Sequence, residues 1–196
     1  MYQIKKKLQN GKLVLGTMIS EVRNPNITYM LAQCGFEFVI VDNEHGTYSF
    51  ETISDMIAAA RGAGISVIVR IPEITRANIL KPLDAGAAGL LVPMVNTVDE
   101  AQAVVSHAKY PPLGNRGAAL RRPHNLYAKV NAAEYLEQAN KNTFIAVQAE
   151  ASATEITKSL ERGLNAVQAL DQIDQNSLGV PLRIVTFRIR FLPSHQ

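Results

Sequence analysis

A chain of 196 residues, 47% hydrophobic and 19% charged, can bury one sizeable core and has the balance of an ordinary globular domain. Its net charge of +3 is matched by Arg183, Arg188 and Arg190 in a terminal stretch without acids, so no basic stripe marks a nucleic-acid partner. With no apolar run near the roughly 18 residues of a membrane span, no apolar region after Lys5–Lys7 to make a signal peptide, and Cys34 as the single cysteine, a cytoplasmic protein is expected.

Taken in chain order, short β-branched runs alternate with amphipathic segments. LVLGTMI (13–19) is the first strand candidate. NITYMLAQCGF follows, with Ile27, Met30, Leu31 and Cys34 on one helical face, which places Cys34 in the core. FEFVIVD (36–42) is the second strand, and SFETISDMIAAARGAG a helix opening at Ser49 and stopping at Gly62 and Gly64. ISVIVRI (65–71), a helix in TRANILKPLDAGA, GLLVPMV (89–95) and a helix in TVDEAQAVVSHAKY continue the rhythm. The stretch YPPLGNRGAALRRPHN, rich in Pro, Gly and Arg, reads as a long loop, AAEYLEQANK as an extra helix, and FIAVQAE (144–150) as the fifth strand.

Continuous apolar strands separated by helices point to an α/β domain with a parallel sheet covered on both faces. The stretch after the first strand, GTMISEVRNPN, is not the Gly-rich phosphate turn of an open doubly wound sheet. Polar residues instead recur at the carboxyl ends of successive strands, where a (β/α)8 TIM-barrel type fold gathers its active site. That fold is expected.

Those strand-end residues are the candidates for chemistry. His45 can exchange protons near neutrality, and Asp42, three residues earlier, could orient its ring; the bland reading is a hydrated loop histidine. Arg70 closes an apolar strand, so it either faces a carboxylate or enolate ligand or pairs with a neighbouring strand's acid. Gln148 and Glu150 stand two apart and share one side of their strand, and a carboxylate there suits a hard divalent cation. Asp84, before Gly86, reads first as a turn-forming residue.

In order and spacing, the motifs GTMIS, VDNEHGTYSF, VIVRIP, LDAGAAGLLVPMVNTVDEAQAVV, YPPLGNRG and VQAE resemble the HpcH/HpaI family of class II pyruvate-dependent aldolases, from about residue 4 to about 160. The resemblance implies a barrel enzyme that cleaves a 4-hydroxy-2-oxo acid to pyruvate and an aldehyde with Mg²⁺, Mn²⁺ or Co²⁺. It implies His45 as the base, Arg70 as the enolate-stabilising cation and Asp84 as the acid that raises the histidine's basicity. Asp42 would be an acid near the histidine, Gln148 a substrate contact and Glu150 a metal ligand. It also implies a homo-oligomer acting on a small-molecule 2-oxo acid, with no nucleic-acid or membrane partner.

Where the family carries a second metal-binding Asp in a GPxDLS-like motif, this chain has LNAVQALDQIDQNSLGVP, which sets Ile173 at that place with Asp171 and Asp174 nearby. Beyond Pro181 the resemblance ends, short of the about 250 residues of a typical barrel. The expected division is therefore 1–160 as barrel units and 161–196 as a divergent segment, in a chain truncated or frame-shifted after the fifth or sixth unit. Two alternatives stand beside an active aldolase: an inactive remnant of one, and a related citrate-forming condensing enzyme.

Overall fold

The structure is a computed structural model that describes residues 3–148. Helix α1 (Gln3–Gln9) leads into β1 (Gly16–Ile19), and α2 (Ile27–Gln33) into β2 (Phe38–Asp42). Helix α3 (Phe50–Ala63) precedes β3 (Ser66–Arg70), and α4 (Arg76–Ala85) precedes β4 (Gly89–Val92). Helices α5 (Val98–Ala108) and α6 (Ala132–Asn142) both lie between β4 and β5 (Phe144–Val147). All four strand pairs are parallel and the sheet order is β1-β2-β3-β4-β5.

That order decides between the two parallel architectures. A doubly wound sheet reverses direction at a switch point and so places helices on both faces. Here the sheet adds strands in one direction only, so right-handed crossovers put every crossover helix on the same side. Val39, Val41, Val67, Val69, Leu90 and Val92 pack on that side against Ile53, Met56 and Ile57 of α3, Ile79 and Leu83 of α4 and Val104 of α5. The alternate residues Phe38, Ile40, Ile68, Leu91, Phe144 and Ala146 form a second core on the opposite face. A singly wound sheet with a packed inner face is the wall of a TIM-barrel type fold.

The inner core is closed at its lower end by α1, whose Ile4 and Leu8 join it. Sequence periodicity gives no helix there, although those two apolar positions stand four apart, as a helical face requires. Gly16 makes room for the neighbouring strand, because a Cβ there would lie 2.2 Å from the Phe38 ring.

Two expectations need correction at α2. Cys34 is exposed rather than buried, and Met30 is 64% exposed. The helix turns Thr28, Leu31 and Ala32 inward instead: Thr28 is fully buried, its hydroxyl donates to the Pro25 carbonyl at 2.8 Å, and Leu31 and Ala32 pack on the outer core. Only Leu31 is common to the expected and observed faces.

The long loop after α5 folds beneath the amino ends of the strands. Its Arg116 donates to Asp84 at 2.7 Å and lies over the Tyr110 ring at 4.5 Å. Arg61, at the end of α3, donates to the Pro123 carbonyl at 2.6 Å. Lys109 is buried and donates to the carbonyls of Asn140 and Thr143, at 2.6 and 3.1 Å, so the end of α5 is tied to the end of α6. Loss of hydration, reinforced by the charges of Lys5 and Arg116, lowers its pKa to about 7. Among the described residues no helix is long and apolar enough to cross a membrane. The expected boundary at residue 160 and the expected truncation fall outside the described residues.

Candidate active site at the carboxyl rim of the sheet

Strand β2 ends in Asp42, whose register partner on β3 is Arg70. Side chains directly opposite on parallel neighbours share a face, and alternation from Ile40 and Ile68 puts these two on the inner one. Arg70 Nε and Nη2 donate to Asp42 Oδ1 and Oδ2 at 2.7 and 2.6 Å, a bidentate fork in which the Asp42 side chain is 2% exposed. This is the neighbouring-strand pairing weighed for Arg70, but it uses only one edge of the guanidinium. The other edge, Nη1, meets Glu44 Oε2 at 3.2 Å.

Asp42 has a second duty. Its Oδ1 accepts the backbone amides of Glu44 at 3.0 Å and His45 at 3.3 Å, which folds the chain back over the strand end. Burial would push the Asp42 carboxyl up, but Arg70 and these amides outweigh that and hold it below its ordinary value. Asp42 therefore positions His45 through the backbone, whereas orientation of the ring had been expected. The turn closes at Gly46, where a Cβ would stand 2.1 Å from the Asp42 carbonyl and 2.7 Å from that of Ser20. No side chain fits there without displacing backbone. Tyr48, buried, donates to the Val22 carbonyl at 3.2 Å and ties the turn to the loop after β1.

The His45 side chain is 72% exposed, and its Nε2 lies 3.7 Å from Glu44 Oε2. One carboxylate oxygen thus stands between the imidazole and the guanidinium. Glu44 was not singled out in the sequence; the available signal was an acid flanked by two candidate site residues in one tight turn.

Gln148 follows β5 directly, and its backbone is fixed from both sides, donating to Val92 at 2.8 Å and accepting from Val95 at 2.9 Å. Alternation from Phe144 and Ala146 assigns it to the inner face with Asp42 and Arg70. Its Oε1 is buried and has no hydrogen-bond partner among the described residues. A buried acceptor left open is costly unless a hydroxyl or a cation comes to it, so this atom suits an oxygen-seeking metal or the ligand it holds. Glu150 lies outside the described residues, as do Asp171, Ile173 and Asp174; among those described no cluster of three His, Cys, Asp or Glu could hold a metal.

Asp84 is not at this rim. It lies in the last turn of α4, which runs back from the carboxyl end of β3 to the amino end of β4, and it is paired there with Arg116. Within one chain the structure gathers Asp42, His45, Arg70 and Gln148 at one end of the sheet and leaves Asp84 at the other. Further along the rim, Glu73, Ile74 and Met94 line a groove with Asp99 and Glu100, which open α5 under a Thr97–Glu100 capping box.

A family model described as HpcH/HpaI aldolase/citrate lyase matches residues 17–173. Over 131 residues the chain is 34% identical to a 5-keto-4-deoxy-D-glucarate aldolase of Escherichia coli O139:H28, covering 67% of this chain and 50% of that protein. It thus spans about half the length of the curated relatives it matches. The crystal structure of an HpcH/HpaI aldolase from Desulfitobacterium hafniense DCB-2 is 38% identical and superposes with a TM-score of 0.76 over 82% of this chain and 61% of that one. The citrate synthase SbnG, at 24% identity and a TM-score of 0.67 over 90% of this chain and 79% of its own, shares the fold.

Proposed function

Because the chain belongs to the HpcH/HpaI aldolase/citrate lyase family, we propose that it acts as a carbon–carbon lyase, cleaving a 4-hydroxy-2-oxo acid to pyruvate and an aldehyde. The observation that carries this reading is the rim itself: a fixed guanidinium, an exposed imidazole beside it, and a buried amide oxygen on the same inner face with no partner among the described residues.

Retro-aldol cleavage needs a base for the 4-hydroxyl proton and a positive group for the oxyanion left on the pyruvate half. His45, on the rim and open to solvent, takes that proton. Arg70, held rigid by Asp42, has its outer edge, the one Glu44 meets, for the developing enolate, and a cation fixed in place beforehand is what makes such stabilisation effective. Gln148 offers its oxygen as an acceptor to a hydroxyl of the substrate, or to the cation that would hold the 2-oxo acid. A divalent ion, Mg²⁺, Mn²⁺ or Co²⁺, with Glu150 as a ligand, polarises the 2-oxo group when bound.

Asp84 can assist His45 only across a subunit boundary, since within one chain the two lie at opposite ends of the sheet. A homo-oligomer is therefore part of the proposal; in the single chain the acid facing His45 is Glu44. The glucarate-derived substrate class named for the E. coli relative is the first to try. The likeness to the citrate synthase is a likeness of fold and adds no argument for condensation.

The test is release of pyruvate from a small panel of 4-hydroxy-2-oxo acids with Mn²⁺ present. Activity abolished by EDTA and restored by Mn²⁺ supports the proposal; equal rates with and without chelator overturn it.

A further inference from the structure

Two carboxylates share one guanidinium at this rim, and they hold it very differently. Asp42 grips Arg70 with both oxygens, at 2.7 and 2.6 Å, is nearly inaccessible, and accepts two backbone amides besides. It cannot leave without unfolding the turn. Glu44 Oε2 meets Arg70 Nη1 at 3.2 Å, with the Glu44 side chain 18% exposed. Its contact is longer than either bond of the Asp42 fork and lacks that fork's bidentate geometry, so it is the weaker of the two. The same oxygen is 3.7 Å from His45 Nε2, too far for a hydrogen bond but within a small side-chain rotation of one.

Charge adds a reason for that rotation. Asp42, Glu44 and Arg70 together carry one net negative charge, which repels an anionic 2-oxo acid. The edge of Arg70 that such an anion would use is the one Glu44 covers.

We propose that Glu44 is a displaceable carboxylate: it covers Nη1 of Arg70 in the empty site, and an incoming 2-oxo acid pushes it onto His45. One substitution of partners then does two things. The anion gains the guanidinium edge, and the imidazole gains an anionic neighbour that favours its protonated form only once substrate is in place. Glu44 is a positioning residue in this scheme, acting through Arg70 and His45 without touching substrate. The inference rests on the lyase reading above and adds to it the regulation of the same base.

The experiment is titration of the full chain with pyruvate in the presence of Mg²⁺, following the ring ¹⁵N signals of His45, for wild type and Glu44→Gln. Neutralising Glu44 should tighten pyruvate binding by roughly two- to fivefold, because a competitor for Nη1 has been weakened. It should lower kcat by about tenfold or more, because the base has lost its partner. The His45 ring signals should move toward the protonated form with pyruvate in wild type and much less in Glu44→Gln. Glu44→Asp, which keeps the charge but shortens the arm, should fall between the two. A merely structural role would weaken binding and kcat together, and that outcome, or an equal His45 response in both proteins, overturns the proposal while leaving the lyase reading intact. A wild-type chain whose His45 ignores pyruvate, and which releases none from any 4-hydroxy-2-oxo acid, overturns both.

Discussion

Both ends of the sheet carry charged and polar groups, and they use them in opposite ways. At the amino end, Lys109 caps the last carbonyls of α6, Arg116 is spent on Asp84 and Tyr110, and His124 is held by Tyr135 and the Ala119 carbonyl, at 2.5 and 3.0 Å. These groups join helix ends and a long loop into one body. At the carboxyl end a rigid pair, Asp42 and Arg70, supports groups that are held less firmly: an exposed imidazole, a carboxylate 3.2 Å from Arg70 and an amide oxygen with no partner among the described residues. The first set joins elements of the fold, and the second, loosely held groups on a rigid base, is built to receive something.

The difference predicts where mutations act. The largest effect on turnover is expected from Arg70→Ala, a loss of about 10²–10³-fold in kcat with the fold retained, measured as pyruvate release with Mn²⁺. Conserving charge with lysine should not restore it, because an ammonium cannot keep the fork to Asp42 and reach outward as well. Gly46→Ala comes next. The added Cβ meets two backbone carbonyls, so the turn carrying Glu44 and His45 must move, and activity should fall about tenfold or more. A fully active Gly46→Ala protein would show that the turn geometry does not matter.

Lys109→Met probes the other end and should leave kcat unaltered. A lysine whose pKa is about 7 when folded binds fewer protons than in the unfolded chain up to its ordinary value of about 10.4. Its burial therefore costs most below pH 7, and wild-type stability should rise as pH climbs from about 7 toward 10. Denaturant melts across that range should show a flatter rise in Lys109→Met; identical slopes would mean the amine is not desolvated as described. Smallest is the acid limb of Asp42. Its lowered pKa makes the pair with Arg70 stabilising above about pH 4, with the contribution lost as pH falls further. The stability gap between wild type and Asp42→Asn should close on acidification.

The same contrast explains what could be read without a structure. Strands β2, β3 and β4 were legible because both of their faces are buried, which writes continuous apolar runs into the sequence. Asp42, His45, Arg70 and Gln148 were legible because a polar residue ending such a run stands out. Helix α2 misled, since four apolar positions fit a helical face while the short helix packs through Thr28, Leu31 and Ala32. Asp84 was legible as a motif residue but not in place, because nothing in a motif says at which end of a helix its neighbours lie. Glu44 was hidden by its role: its partner, Arg70, stands 26 positions away along the chain.

The central claim is that one small ligand reaches His45, Arg70 and Gln148 together. Mn²⁺ added with pyruvate to the isotopically labelled full chain tests it directly, because the ion broadens only nearby signals. The account predicts broadening of the Gln148 side-chain amide, the Arg70 guanidinium and the His45 ring, with His124 at the opposite end left sharp. Broadening at His124, or at only one of the three rim residues, would contradict it.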